Sequence, residues 1–270
     1  MDHARQLAAA IDAANGLTLV LTGAGVSVAS GIPTFRGSDP GAIWAHDITE
    51  MATLSFYTAD PVGSWRWYRQ RFLPVLAAQP NPAHHAIAAL ERWQASRRRD
   101  FLLVTQNIDP LHERAGSARL VKVHGSADRC RCSDPDCRLG RVESIPLAEV
   151  DFTEFDRAPA VSAIPSCPSC GSSVRPHVLW FDELYTSHAD YQWHVVDAAA
   201  PRIRLLVCVG TSLAVGVTSF LQAAAAGADA PVFLVDPGER PRDASRAMVH
   251  VQARAEELLP EVCRILTGAP

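Results

Sequence analysis

The stretch Thr22-Gly-Ala-Gly-Val-Ser-Val-Ala-Ser-Gly-Ile-Pro-Thr-Phe-Arg-Gly37 decides the fold of this chain. The apolar run Leu17-Thr-Leu-Val-Leu21 leads into it and predicts a buried strand. Gly23 and Gly25 follow, and glycines let a backbone turn sharply and let a ligand approach the main chain closely. In α/β proteins, a strand that runs into a glycine-rich turn and a helix start holds phosphate groups on backbone N–H groups.

On the glycines alone, two interpretations of this stretch are open. The common dinucleotide-binding pattern is incomplete, because Val28 stands at its third glycine position. The glycines therefore fit a nucleotide site and a plain tight turn between strand and helix equally well. The second half, from Gly31 to Gly37, places an aromatic residue and an arginine between prolyl and glycyl breaks. A plain turn needs no such ending, so the whole stretch favours the nucleotide site.

The composition argues against several classes of protein. The chain has 270 residues, 48% hydrophobic and 20% charged, which suits one large domain with a smaller insert. Its net charge of −4 gives no support for a nucleic-acid partner. The first residues lack a signal-peptide layout and no apolar run reaches membrane-spanning length, so we expect no membrane association. Seven cysteines, an odd number, argue against a disulfide scaffold and favour a cytoplasmic location.

Short apolar runs alternate with helical patterns along the chain. Further strands are predicted over residues 101–105, 120–123, 178–181, 205–209 and 232–235. Helices are predicted over residues 3–15, 83–98, 217–226 and 256–266, and another begins at Asp60-Pro61. The alternation predicts an α/β fold with a Rossmann-like parallel sheet and helices on both faces. Residues 38–58 are predicted to be a loop, and residues 126–175 an insert with few apolar residues and its own source of stability.

Four cysteines of the insert have the spacing of a metal site. Four residues separate Cys132 from Cys137, and two separate Cys167 from Cys170. Two such knuckles make a tetrahedral thiolate site for zinc, which is structural because no position stays open. Cys130 is a fifth candidate, but the longer loop from Cys132 wraps a metal more easily. A redox pair at Cys167 and Cys170 is the rival interpretation, and it leaves the other two cysteines unexplained.

Polar residues follow two of the predicted strands. Gln106, Asn107 and Asp109 come after the strand at 101–105, and His124 comes after the strand at 120–123. Side chains at the carboxyl ends of parallel strands project into the ligand crevice, so we expect all four to face the glycine-rich loop. Asn107 and Asp109 suit a carboxamide or a water, and His124 suits a general base. The alternative, that they cap a helix and fill a turn, is better for any one residue than for the whole set.

These segments together resemble the sirtuin family of NAD-dependent protein deacylases. The matching segments span nearly the whole chain in the family's order: 23–27, 30–36, 105–109, 111–112, 124–125, the four cysteines, 175–176, 180–181 with Glu183, and 210–212. The resemblance implies an NAD-binding Rossmann-like domain of residues 1–37, 81–125 and 176–270. It also implies a small domain, made of a helical module (38–80) and a zinc module (126–175). An acylated lysine peptide would enter the cleft between them, and a monomer is compatible with this arrangement.

The resemblance also assigns roles to single residues. It implies that the acyl oxygen attacks the ribose carbon of NAD as nicotinamide leaves, and that His124 then takes a proton from the ribose hydroxyls. Catalysis falls to His124 and Asn107. Acyl-peptide binding falls to Tyr68, Arg71, Trp180, Phe181, Glu183 and Val215. NAD binding falls to Gly23, Ala24, Gly25, Ser27, Pro33, Thr34, Phe35, Arg36, Trp44, Gln106, Asn107, Ile108, Asp109, Gly210, Thr211, Ser212 and Asp236.

Tyr68 and Arg71 bear on the kind of acyl group. They match the Tyr-x-x-Arg pair that marks sirtuins acting on succinyl- and malonyl-lysine. A carboxylate at the end of an acyl chain needs a charged partner, and a guanidinium binds it in bidentate fashion. The alternative is that Tyr68 packs with neighbouring aromatic residues and Arg71 is exposed, which leaves a plain acetyl-lysine deacetylase.

The chain departs from the family pattern in three places. Asp182 stands where the family usually has glycine, Asp236 stands where it often has asparagine, and two extra residues precede Trp44. None of these changes removes a reacting group. An NAD glycohydrolase or ADP-ribosyltransferase on the same scaffold is the alternative enzyme. A non-enzymatic zinc-containing binding protein is disfavoured by the net charge and by the intact polar set.

Overall fold

Six parallel strands form the central sheet of the computed structural model, which describes residues 3–34, 48–214, 216–240 and 247–268. The spatial order of the strands is β3-β2-β1-β7-β8-β9. Their bounds are β1 Leu17–Thr22, β2 Phe101–Thr105, β3 Leu120–Lys122, β7 Ile203–Val209, β8 Val232–Val235 and β9 Val249–Val251. The central strands β1 and β2 are buried along their whole length, as strands covered on both faces must be.

Helices cover both faces of this sheet and confirm the predicted fold class. On one face α1 (His3–Ala13), α5 (Pro82–Ser96) and α11 (Ala255–Thr267) share a hydrophobic cluster with the strands. On the other face α9 (Trp193–Ala199) and α10 (Gly216–Gly227) complete a second cluster. The cap of α5 is the predicted one, since the Asn81 side chain accepts a hydrogen bond from the Ala83 N–H.

A second, smaller sheet is antiparallel and has the order β5-β4-β6. Its strands are β4 Gly125–Cys132, β5 Ile145–Pro146 and β6 Val174–Val178. The predicted strand at 178–181 is therefore wrong. The strand ends at Val178, and the chain then turns toward the helices, where the Phe181 N–H donates to the Ala52 carbonyl at 3.0 Å. The predicted domain boundary at residue 176 falls inside β6.

The helical module packs on the small sheet. It comprises α2 (Ile48–Met51), α3 (Leu54–Ala59) and α4 (Pro61–Ala77), and α4 begins as predicted with the Asp60 side chain accepting from the Gly63 N–H. The prediction of a loop over 38–58 is wrong for the described part, 48–58. The carboxylate of Asp182 accepts from the N–H groups of Leu54 and Ser55, so a residue distant in sequence caps α3.

The insert shares a hydrophobic core with the helical module. This differs from the prediction of an insert with few apolar residues and its own source of stability. Phe152, Phe155 and Ile164 join one hydrophobic cluster with Trp65 and Phe72 of α4. The insert contains two short helices, α7 (Arg138–Arg141) and α8 (Thr153–Arg157), and a third, α6 (Leu111–Arg114), precedes it. Among the described residues, no helix has the length and apolar character required to cross a bilayer.

Candidate active site and metal centre

The glycine-rich loop lies against the loop that follows β7, at the carboxyl edge of the sheet. β1 ends at Thr22, and a 3₁₀ helix, Ala24–Ser30, follows. A Cβ on Gly25 would lie 2.7 Å from the Gly210 Cα, and Gly210 itself has a φ of +57°. Glycine is therefore required on both sides of this contact. No side chain projects from the backbone at these glycines, so a pyrophosphate can approach the main chain there.

Asn107, Ser27 and Asp109 form a buried hydrogen-bonded chain beside this loop. The Asn107 Nδ2 donates to the Gly23 carbonyl (3.2 Å) and to the Ser27 Oγ (3.1 Å). The Ser27 hydroxyl donates to Asp109 Oδ2 at 2.9 Å, and the Leu111 N–H donates to Asp109 Oδ1. Burial raises the pKa of Asp109, and these two bonds oppose the rise. The chain fixes the Asn107 amide and leaves its Oδ1 without a donor among the described residues.

His124 follows β3 and faces the same edge of the sheet. Its Nδ1 lies 2.8 Å from the Gln106 carbonyl oxygen, which can only accept, so Nδ1 carries the proton and Nε2 carries the lone pair. Burial lowers the pKa of His124 to about 4, and the Gln106 bond opposes this. The imidazole is therefore neutral at physiological pH, as a general base must be.

The remaining residues assigned to NAD lie at the ends of neighbouring strands. The Gln106 side chain donates to the Thr211 hydroxyl at 3.1 Å, across the ends of β2 and β7. Asp236 follows β8, and its carboxylate accepts from the Gly238 N–H. Glycine backbone, hydroxyl groups and the Asp236 carboxylate along one edge of the sheet supply the hydrogen-bond donors and acceptors that suit an extended dinucleotide. Phe35, Arg36, Trp44 and Val215 lie outside the described residues.

The segment predicted to dock the peptide, Trp180–Glu183, is anchored through the carboxylate of Glu183. The Glu183 carboxylate accepts from the guanidinium groups of Arg131 and Arg175 and from the Trp180 N–H. Phe181 is 51% exposed. Glu183 thus fixes the segment from behind, and Phe181 presents its ring to solvent.

Tyr68 and Arg71 differ in burial: Tyr68 is buried and Arg71 is partly exposed. Tyr68 is 1% exposed, and its hydroxyl accepts a hydrogen bond from the Trp180 indole N–H at 2.7 Å. Its ring packs against Phe72 and Trp67. Arg71 is partly exposed, and its guanidinium carbon lies 4.2 Å from the centre of the Trp67 ring. For Tyr68 this arrangement matches the packing alternative.

The four candidate zinc ligands converge on one point of the small domain. The ligand atoms of Cys132, Cys137, Cys167 and Cys170 all lie within 4.8 Å of one another. The Sγ atoms of Cys132 and Cys170 are 3.4 Å apart, and those of Cys137 and Cys167 are 3.8 Å apart. With zinc–sulfur bonds of about 2.3 Å, a tetrahedral site needs sulfur atoms separated by about 3.8 Å. The arrangement therefore fits a structural zinc.

Cys130 is outside this group. It is fully buried, and burial raises the pKa of its thiol to about 12. The thiol of Cys170 behaves in the opposite way, since hydrogen bonds from Ser172, followed by one from Cys132, lower its pKa to about 6. Cys170 is the exposed member of the group, and the thiolate form that its hydrogen bonds favour is the form that binds a metal.

One residue beside the base was not predicted from the sequence. The Tyr185 hydroxyl lies 3.4 Å from Nε2 of His124, and the two rings are stacked with centres 5.8 Å apart. Tyr185 belongs to no motif. Its only signal in the sequence is its position, two residues after Glu183 at the end of the docking segment.

Comparisons with known proteins agree with this geometry. The family model described as Sir2 family matches residues 23–217. A relative from Thermus thermophilus named NAD-dependent protein deacylase is 40% identical over 223 residues, covering 82% of this chain and 80% of the relative. One from Pseudomonas aeruginosa, named NAD-dependent protein deacylase 1, is 40% identical over 248 residues, covering 91% and 92%.

Solved structures match along nearly the whole chain. A mutant Sir2 homologue in complex with ADP ribose has a TM-score of 0.81 and 31% identity, covering 100% of this chain and 98% of that one. A Sir2 homologue in complex with NAD has a TM-score of 0.79 and 32% identity, covering 98% and 94%. The family model matches more than half of the chain and a relative of 40% identity covers 91% of it, so the protein belongs to the Sir2 family, the sirtuins.

Proposed function

We propose that the protein is an NAD-dependent protein-lysine deacylase. The observation that carries the proposal is the convergence of a neutral His124, with Nε2 free of its own proton, and the Asn107–Ser27–Asp109 chain beside a bare glycine loop. The names of the relatives, NAD-dependent protein deacylases, support it. A plain NAD glycohydrolase has no need of a braced peptide-docking segment.

The residues of this chain would divide the work as follows. NAD, when bound, supplies the ribose that accepts the acyl group and releases nicotinamide. Asn107 presents its free Oδ1 to a carboxamide or a water, while Ser27 and Gly23 hold its amide nitrogen. His124 takes a proton from a ribose hydroxyl at Nε2, because Nδ1 already donates to Gln106. Thr211 and Ser212 would hold polar groups of the cofactor beside the glycine-rich loop.

Incubation with NAD and an acyl-lysine peptide tests the proposal. We expect one nicotinamide released for each acyl group lost from the peptide, measured by chromatography and peptide mass. Nicotinamide release that does not depend on the peptide would identify a glycohydrolase. A mass gain on the peptide equal to ADP-ribose would identify a transferase, and no reaction at all would overturn the enzymatic proposal.

The finer proposal is that succinyl or malonyl groups are preferred over acetyl. It rests on the Tyr-x-x-Arg pattern of Tyr68 and Arg71 and on the partial exposure of Arg71. Arg71 would supply the positive charge. Tyr68 is buried and its hydroxyl accepts from Trp180, so it would hold the docking segment beside Arg71 and leave the acyl carboxylate to the guanidinium.

Three peptides that differ only in the acyl group test this preference. We expect kcat/KM to be higher for succinyl- or malonyl-lysine than for acetyl-lysine in the wild type. Arg71→Met should lose about tenfold to over a hundredfold on the acidic substrates and keep its acetyl activity, because a charge-assisted hydrogen bond contributes about 1.5–3 kcal/mol. Arg66→Met, on the exposed side of the same helix, is the matched control. Acetyl preference in the wild type, or an unchanged ratio in Arg71→Met, would leave a plain deacetylase.

The zinc site and the cysteine inventory support a reducing location. All seven cysteines are free, and four of them form the thiolate group described above. Thiolate ligands persist where thiols are kept reduced, so we place the protein in the cytoplasm. Acylated proteins would be its substrates.

A further inference from the structure

A tyrosine hydroxyl group lies beside the imidazole of His124, the proposed base. The Tyr185 hydroxyl lies 3.4 Å from His124 Nε2, the nitrogen that has to take the substrate proton. On its other side the same hydroxyl oxygen accepts a hydrogen bond from the Val217 N–H at 3.3 Å. Because Val217 N–H can only donate, the Tyr185 proton is left to point elsewhere, and Nε2 is the acceptor within reach.

Aromatic packing fixes the Tyr185 ring and keeps its hydroxyl close to His124 Nε2. The ring stacks on Trp193 with centres 4.5 Å apart and an angle of 18° between the planes. Trp193 in turn packs against Phe220 of α10. Tyr185 therefore joins the docking segment, which ends at Glu183, to the first turn of α10. The base sits between these two walls of the cleft.

We propose that Tyr185 is a positioning residue for His124, serving the imidazole in both of its protonation states. In the ligand-free protein the phenol donates to the lone pair of the neutral Nε2, and it turns its hydrogen away when the substrate hydroxyl takes that place. After Nε2 has taken the ribose proton, the phenol accepts from the new Nε2–H. No bond other than O–H and N–H is made or broken, and the proton gained by His124 is the one lost by the substrate hydroxyl. This inference rests on the proposed function.

The hydrogen bond from Tyr185 to the neutral imidazole and the one it accepts from the imidazolium differ in strength. This difference decides whether Tyr185 raises or lowers the pKa of His124. A hydrogen bond to a charged group contributes about twice as much as one between neutral groups. Tyr185 therefore stabilises the imidazolium more than the imidazole and makes His124 a stronger base. The other polar group in contact with the ring is the Gln106 carbonyl oxygen, and no charged side chain of the described residues contacts it. Burial raises the pKa of Tyr185 above its usual value, so the phenol keeps its proton.

An NMR titration of the ligand-free protein tests the hydroxyl–imidazole coupling without turnover. It is confined to pH values at which the protein stays folded and keeps its zinc, where the onset of His124 protonation already shifts the ring nitrogens. In protein labelled with [15N]histidine, Tyr185→Phe should lower the pKa of His124 by about half a unit to one unit. Tyr57→Phe removes a buried hydroxyl that donates to the Val174 carbonyl of the small sheet, and it should leave this titration unchanged. An unchanged or raised pKa of His124 in Tyr185→Phe would overturn the proposal. If Tyr185→Phe does not fold, 3-fluorotyrosine at position 185 keeps the shape, weakens the acceptor and should shift the pKa in the same direction.

Kinetics provide the second measurement. Exchange of labelled nicotinamide into NAD reports the chemistry before His124 takes its proton, whereas peptide deacylation includes that step. Tyr185→Phe should slow deacylation by about three- to tenfold and leave exchange within about twofold of wild type. An equal loss in both rates would indicate a merely structural role. If the wild type shows neither reaction, the proposed function fails, while the NMR result still decides the coupling.

Discussion

At the scale of single residues, the chemistry depends on which nitrogen of His124 carries the proton. The Gln106 carbonyl fixes the proton on Nδ1 and turns the Nε2 lone pair toward the cleft. Burial lowers the pKa of His124 and so prevents the ring from being charged before substrate arrives. The position of His124 after a strand was predictable from the sequence. Its tautomer was not, because Gln106 lies on another strand end.

His124→Ala should abolish deacylation while NAD still binds. General base catalysis contributes on the order of a hundredfold or more, and no other described histidine faces the cleft in this way. Turnover of an acyl peptide and NAD affinity by calorimetry are the measurements. His194→Ala, which changes an exposed histidine of α9, is the control and should keep wild-type turnover. Turnover of His124→Ala within tenfold of wild type would remove His124 as the base.

At the scale of elements, the docking segment is held by a residue where the family usually has glycine. The Asp182 carboxylate accepts from the Leu54 N–H (2.7 Å), the Ser55 N–H (3.0 Å) and the Ser55 hydroxyl (3.0 Å). Burial alone would raise the pKa of Asp182, but these bonds lower it below its usual value. The helical module and the docking segment are therefore tied together through one exposed carboxylate.

Asp182→Gly should raise KM for the peptide several-fold and change kcat little. The reason is that each lost hydrogen bond contributes about 0.5–1.5 kcal/mol to holding the segment, while no reacting group is touched. Hydrogen exchange at the amides of Leu54 and Ser55 should speed up in the variant. Asp182→Asn keeps one acceptor oxygen and should fall in between. Unchanged KM together with unchanged exchange would show that the carboxylate does not brace the segment.

The zinc module can be tested by comparing two buried cysteines, one inside the group of four and one outside it. Cys130→Ser should retain one zinc per chain, because Cys130 is outside the group of four, whereas Cys167→Ser should release it. Loss of metal should also lower the melting temperature, since metal binding is coupled to folding of such modules. Metal analysis and thermal unfolding are the measurements. Zinc lost from Cys130→Ser, or absent from the wild type, contradicts the assignment.

At the scale of the whole molecule, local signals predicted the main sheet and distant contacts decided the rest. Apolar runs and the Asp60-Pro61 and Asn81-Pro82 caps act within a few residues, so β1, β2, β7, β8 and the helices beside them could be read from the sequence. The helix α3 could not, because Asp182 lies 128 residues from Leu54. Strand β9 has three residues, too few for periodicity. Four cysteines could be read as a group, since metal spacing is itself a local signal.

Buried histidines make the stability of the whole molecule depend on pH. Burial lowers the pKa of His84, His124 and His188 to about 4, and those of His112 and His177 well below the usual value. The unfolded chain binds these protons near pH 6.5. Between about pH 6.5 and 4 the unfolded state therefore holds more protons than the folded state, so acid favours unfolding.

The free energy of unfolding should fall steeply as the pH drops from 7 to 5. Each histidine that stays neutral in the fold contributes a slope of about 1.4 kcal/mol per pH unit below pH 6.5. His188→Asn keeps an acceptor for the Asp190 N–H, which His188 Nδ1 now accepts at 3.1 Å, and removes one titrating group. The slope of this variant should be smaller by about that amount. Urea unfolding at several pH values, with the zinc content measured at each, separates this effect from metal release. A stability that is flat from pH 7 to 5 would mean that the buried imidazoles are protonated in the folded protein.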